Sequence, residues 1–212
     1  MEYLDEELIV RYKEKICDYL KGGDFDSAKR LTKKLILWII YDNNTRLVFE
    51  LTDLLYWAES YFAYESGYKK DETEEFLLLV QEALKEGYIF LNETKFLICV
   101  AQIFRDNGKE YREYVNKAIE RCDGQIKKNP VDMHFYYEKM EVICCFSEIE
   151  GLKSQLQEIY EDAQVMILDK NRDDIDDDHE EWYINAMSEM LDNPKTYFGK
   201  KFQPKGLYFG LL

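Results

Sequence analysis

The chain has 212 residues, with 28 Lys+Arg against 43 Asp+Glu, a formal charge of -15 and a pI near 4.7. That balance excludes broad electrostatic binding to nucleic acid, because each neutralised phosphate needs a Lys or Arg brought to it against the field of the whole protein. The 46% apolar content, with 17 Tyr and 12 Phe, excludes a disordered chain and supplies material for a core.

In chain order, the N-terminus Met1-Glu2-Tyr3-Leu4-Asp5-Glu6-Glu7 is acidic where a secretory signal is basic, and the longest apolar run, Leu35 to Tyr41, is too short to cross a bilayer. A cytoplasmic protein with no membrane partner is expected. Helical spacing then predicts helices over 2–21, 24–41, 45–66, 70–86, 93–107, 109–128, 131–149, 152–169 and 178–191. Phe76, Leu79, Val80, Ala83 and Leu84 form an i, i+3, i+4 stripe. So do Tyr111, Tyr114, Val115, Ala118, Ile119 and Cys122, and further on Leu152, Leu156, Ile159, Tyr160, Ala163, Met166 and Ile167. The ninth helix offers Trp182, Ile184, Met187 and Leu191 as a stripe to cap the stack. No strand pattern or Asn-Gly hairpin signal interrupts the series, so the fold class is all-α.

Gly23, Gly67, Gly108 and Gly151 punctuate the body at intervals of 44, 41 and 43 residues, each a few positions after an aromatic residue: Tyr19, Tyr64, Phe104 and Phe146. Asparagine segments alternate with them at Asp42-Asn43-Asn44, Leu91-Asn92-Glu93, Lys128-Asn129-Pro130 and Asp169-Lys170-Asn171. Gly accepts a left-handed helix cap, and Asn or Asp caps the start of the next helix. The unit is therefore helix, glycine turn, helix, asparagine turn, and such pairs stack to bury their apolar faces.

Gly23-Asp24-Phe25-Asp26-Ser27-Ala28 resembles the opening of the second helix of a tetratricopeptide repeat, with Phe25 and Ala28 packing inward. Ala118 and Pro130 stand at the spacing of that family's packing alanine and closing proline. The period of 41 to 44 departs from the family's 34, and no unit opens with W-x-x-L-G-x-x-Y. The resemblance implies an α-α superhelix of four helix pairs over residues 1–192, whose concave surface, lined by the first helix of each pair, binds peptides or proteins. On those first helices Arg46, Lys95 with Gln102 at i+7, and His134 with Tyr137 at i+3 are the candidate ligand contacts.

Signals for chemistry are sparse. The chain has two histidines, His134 and His179, and no phosphate-binding, dinucleotide, zincin or nucleophile-elbow motif. His134 stands ten and eleven residues before Cys144 and Cys145, about 15 Å along a helix, too far for a base and its nucleophile. The acidic run from Asp169 to Glu180 fails as a calcium loop, because Asp174 occupies the glycine position and Ile175 stands one place early, and it is read as a solvated segment whose Asp residues cap the ninth helix. No catalytic residue, metal or cofactor is expected. The five cysteines, Cys17, Cys99, Cys122, Cys144 and Cys145, contain no C-x-x-C and read as free thiols of a reducing compartment.

Residues 193–212 contain four lysines, no acid and eight large apolar residues, which leaves the body at -19. The tail is expected to lie extended on the acidic body. Two functions fit: a non-catalytic scaffold that binds a protein or peptide, the partner carrying a basic surface, or an acidic antagonist, such as a toxin-immunity protein or a phage-encoded inhibitor, that covers the basic site of a nuclease or similar enzyme. A one-signed negative patch marks the antagonist, and a groove of mixed polar and aromatic lining marks the scaffold.

Overall fold

The computed structural model describes residues 6–65, 70–146, 151–168 and 177–193, with some side chains near these breaks and Thr45, Trp57 and Ser60 left aside. Among the described residues the fold is all-α, with no strand. The helices are α1 Glu6–Lys21, α2 Phe25–Asp42, α3 Val48–Glu65, α4 Lys70–Ala83, α5 Thr94–Asp106, α6 Arg112–Lys128, α7 Met133–Phe146, α8 Leu152–Leu168 and α9 Asp177–Asp192. Gly67, the run 169–176 of the acidic segment and the tail beyond Asn193 lie outside the described residues.

The glycine turns follow from backbone chemistry. Gly23 (φ 73°) and Gly108 (φ 65°) take the left-handed conformation that ends a helix, and in both cases the next residue's N–H reaches back to the carbonyl of the preceding aromatic: Asp24 N to Tyr19 O at 2.9 Å and Lys109 N to Phe104 O at 2.8 Å. The side chain of Asp24 then accepts from Ser27 N at 3.1 Å and opens α2. Thr32 and Ala28 are buried on α2. Phe25 is not packed inward as expected: it is 43% exposed, because it is the first residue of α2 and its direction is set by the cap rather than by the helix's buried face.

The chain divides into two compact units, one running to Lys109 and the other beginning at Glu110, so that the division falls inside the third predicted helix pair. In the first unit α2 packs on α1, α3 and α4, and α3 also packs on α4 and α5. Ile9, Ile16, Leu35, Ile36, Ile39, Ile40, Leu51, Leu54 and Leu55 are fully or almost fully buried there. The segment between α4 and α5 contains a 3-10 turn, Ile89–Asn92, that the periodicity does not reveal. Phe90 anchors it, fully buried, 6.0 Å from the Phe96 ring and 6.4 Å from Tyr88, a burial worth about 2 kcal/mol. Lys13, 7% exposed, makes an ion pair with Glu50 and lies 3.9 Å from Asp53.

In the second unit α7 is central and packs on α6, α8 and α9, while α8 also packs on α9. Met133, Tyr136, Met140, Cys144, Leu152, Leu156, Ile159, Ala163, Met187, Met190 and Leu191 form its core. The expected stripes on α6 and α8 are buried or half-buried throughout. On α9 the stripe is rotated from the expected one. Met187 and Leu191 are buried and Ile184 packs against the core, but Trp182 is 51% exposed and Tyr183 takes the inward position. Tyr183, Met187 and Met190 keep the i, i+4, i+7 spacing that one helix face requires.

Candidate functional site

The five sequence-predicted contacts fall in both units. Arg46 is exposed in the 3-10 turn Thr45–Leu47, its N–H donating to Asn44 Oδ1 at 3.1 Å. Lys95 is half-buried in the first turn of α5. Gln102 does not lie on an open face: it is buried against α3, where its Oε1 accepts from the Tyr56 hydroxyl at 2.5 Å. A polar residue at i+7 from Lys95 reads as a surface position when the partner hydroxyl across the seam is unknown. His134 and Tyr137, by contrast, are brought together on α7, half-buried, with Tyr183 of α9 touching both.

The residues Phe135-Tyr136-Tyr137 show why α7 can serve two surfaces. Consecutive helical positions point about 100° apart. Tyr136 therefore turns toward α6 and α8, where it is buried and donates to Pro130 O at 3.1 Å, while Tyr137 turns toward α9.

On the Tyr136 side lies a groove of about 370 Å³ between α6, α7 and α8. Ile126, Pro130, Tyr136, Ile159 and Met166 give it an apolar floor, and Asp123, Lys127, Lys139 and Asp162 give it a charged rim. Lys139 Nζ stands 2.7 Å from Asp123 Oδ1 and ties α7 to α6. Burial, and behind it the charge of Asp162, holds the Tyr136 phenol above its ordinary range, so the hydroxyl stays protonated and donates. The rim thus carries two charges of each sign around an apolar floor.

On the Tyr137 side three rings meet: Trp182 to Tyr183 at 5.0 Å, Tyr137 to Trp182 at 5.5 Å and Tyr137 to Tyr183 at 5.5 Å between centroids. His134 adjoins them, its Nδ1 2.9 Å from the Tyr183 hydroxyl and its Nε2 3.3 Å from Glu138 Oε1. These two contacts are met by the neutral imidazole that carries its proton on Nε2 and accepts from the phenol at Nδ1, and equally by the imidazolium donating from both nitrogens. Tyr137 Oη donates to Glu141 Oε1 at 3.3 Å, and His134 N–H donates to Asp132 Oδ1 at 3.1 Å. Burial raises the Tyr183 phenol, and Asp132, Glu138 and Glu141 raise it further. His134 and Tyr137 are legible as candidates in the sequence, but Trp182 and Tyr183 are not found as their neighbours, because spacing puts Trp182 in the capping stripe and leaves Tyr183 outside it.

Burial pushes the Cys144 thiol up to about 12, so it has no thiolate to offer at neutral pH. The fully buried Cys99 thiol is raised well above its ordinary value for the same reason. Among the described residues no three His, Cys, Asp or Glu side chains converge as a metal requires, and no helix is long and apolar enough to cross a membrane. No protein-family model, curated protein or solved structure matches the chain.

Proposed function

We propose that the chain is a non-catalytic, tetratricopeptide-like scaffold of the cytoplasm that holds a peptide or protein segment in the groove between α6, α7 and α8. The observation that carries this reading is the lining of that groove: an apolar floor containing Tyr136 beneath a rim of Lys127, Lys139, Asp123 and Asp162. A pocket of this kind accepts one apolar side chain and pairs the charged groups that flank it, which is how short segments gain both affinity and register. The left-handed glycine turns at Gly23 and Gly108, and the buried Ala28 and Ala118, support the likeness to helix-pair repeats. The raised thiol of Cys144 and the partnered imidazole of His134 give no support to an enzyme.

The acidic antagonist is the second reading, favoured by the formal charge of -15. An antagonist that covers a basic enzyme site works through net charge, whereas the groove reading works through local complementarity on a balanced rim. The two part on salt. A partner recovered with the protein that dissociates steeply between low and high salt supports the antagonist, and one that is retained across the range supports the groove.

A further inference from the structure

A second surface stands apart from the groove, on the opposite side of α7. Trp182, Tyr137 and Tyr183 form a closed triangle of rings, each pair between 5.0 and 5.5 Å, and Trp182 leaves half of its surface open to solvent. An exposed tryptophan held by two neighbouring rings is fixed in place rather than mobile, so a ligand that meets it does not have to order it first. Around the rings stand carboxylates whose orientation is set by the same aromatic groups: Glu141 accepts from the Tyr137 hydroxyl at 3.3 Å, and Glu138, 6% exposed, faces His134 Nε2 at 3.3 Å. The lysine next to Glu138 in sequence, Lys139, is engaged on the other side of the helix, 2.7 Å from Asp123. Among the described residues, the charges felt by the Tyr183 phenol are those of Asp132, Glu138 and Glu141, all negative, and the chain as a whole carries -15.

We propose that this α7–α9 face is a binding site for an arginine side chain presented by a basic segment of a partner protein. The chemistry of the surface selects that ligand. Ring faces attract a cation, and tryptophan attracts it most strongly. A guanidinium is planar and weakly hydrated, so it stacks on the exposed part of Trp182 while its N–H groups donate to the carboxylate held by the neighbouring Tyr137, Glu141. A compact ammonium satisfies the carboxylate but leaves the ring face uncovered, so arginine binds ahead of lysine. An acidic segment is rejected, because it would bring like charge to Glu141, and a purely apolar one would desolvate that carboxylate without supplying an opposite charge.

The test uses the full chain and three short peptides: tri-arginine, tri-lysine and tri-citrulline, the last matching arginine in shape without its charge. NMR follows the Trp182 indole N–H and the ring signals of Tyr137, Tyr183 and His134 during titration. The expected result is saturable shifts of these signals with tri-arginine, weaker ones with tri-lysine and none with tri-citrulline. Trp182→Ala and, separately, Glu141→Gln should each weaken tri-arginine binding at least about fivefold, as loss of a cation–π contact or a charge-assisted hydrogen bond does. Glu141→Gln keeps the shape of the side chain and guards against a folding defect in the tryptophan variant. Equal response to arginine and citrulline peptides, or tri-arginine binding unchanged in both variants, overturns the proposal, the latter by showing that the peptide follows general negative charge elsewhere.

Discussion

The side-chain carbonyl of Asn43 accepts the backbone N–H of Ile89 at 2.8 Å, so the last turn of α2 is stitched to the segment that leads into α5. The same amide donates to Gly87 O at 3.3 Å, and the Asn43 N–H reaches Ile39 O at 3.2 Å with φ at 51°. One residue caps a helix in the left-handed conformation and also satisfies two backbone groups of a loop 44 to 46 residues away.

Asn43→Gly keeps the left-handed conformation and removes the stitch, whereas Asn43→Ala removes the stitch and adds backbone strain. Urea unfolding should show a loss of about 1–2 kcal/mol for the glycine variant and about 1 kcal/mol more for alanine. Equal losses would mean that the conformation at Asn43 carries no strain for an ordinary residue.

Asp53 gives the first unit a pH signature. Its carboxyl is pushed up from 3.8 to about 6, mainly by burial, with the charge of Lys13 opposing and that of Glu50 adding to the rise. A carboxyl whose folded pKa is raised contributes stability that is fully present below its unfolded value and is lost as pH rises through about 6. Between about pH 7.5 and about pH 5 the wild type should therefore gain about 1 kcal/mol that Asp53→Asn does not. Chemical denaturation of both proteins at the two pH values, taken as a difference, isolates this group, and parallel pH dependence in the two would contradict the assignment.

Tyr56 and Gln102 form a polar contact in the seam between α3 and α5, and both side chains are buried. Tyr56→Phe should cost about 1–2 kcal/mol, since a buried acceptor loses a donor that water cannot replace. A double-mutant cycle with Gln102→Ala should return a coupling of about 1 kcal/mol, and a cycle that closes at zero would show the pair to be energetically independent.

Thiol labelling reads the burial pattern. Cys99, Cys122 and Cys144 are buried, and Cys17 and Cys145 are half-buried. Alkylation of the native protein at mildly alkaline pH should modify Cys17 and Cys145 first and Cys144 only on unfolding, because the Cys144 thiol is pushed up to about 12. Early modification of Cys144, located by mass spectrometry, would contradict the packing of α7 against α8 and α9.

Much of the helical layout was legible because it is written in local chemistry. Glycines at left-handed caps, Asp24 at a helix start and apolar stripes at 3.6-residue spacing act within one or two turns, and they place the helix ends within a few residues. What escaped depends on contacts between distant segments. The 3-10 turn at Ile89–Asn92 exists because Phe90 finds Phe96 and because Asn43 finds Ile89, and no local pattern announces either. Gln102 looked like a surface residue until Tyr56 faced it. Trp182 and Tyr183 exchanged roles because a stripe read by spacing alone leaves one residue of rotational freedom, and the rings of Tyr137 and His134 decide which of the two turns inward. The groove between α6, α7 and α8 gave no signal at all, since its charged rim combines residues 123, 127, 139 and 162 from three helices.

Lys127→Glu and Asp162→Lys made together reverse the two exposed rim charges outside the Lys139–Asp123 pair and leave net charge untouched; both residues are exposed, so the fold should not suffer. A random peptide library is selected against the wild type, and the peptides recovered are titrated against both proteins. A peptide-holding groove predicts that the wild type selects an apolar residue flanked by charges of both signs and that the double variant binds those peptides at least about tenfold more weakly, a loss of about 1.4 kcal/mol. Binding that is unchanged in the double variant would place the peptides elsewhere and contradict the central claim.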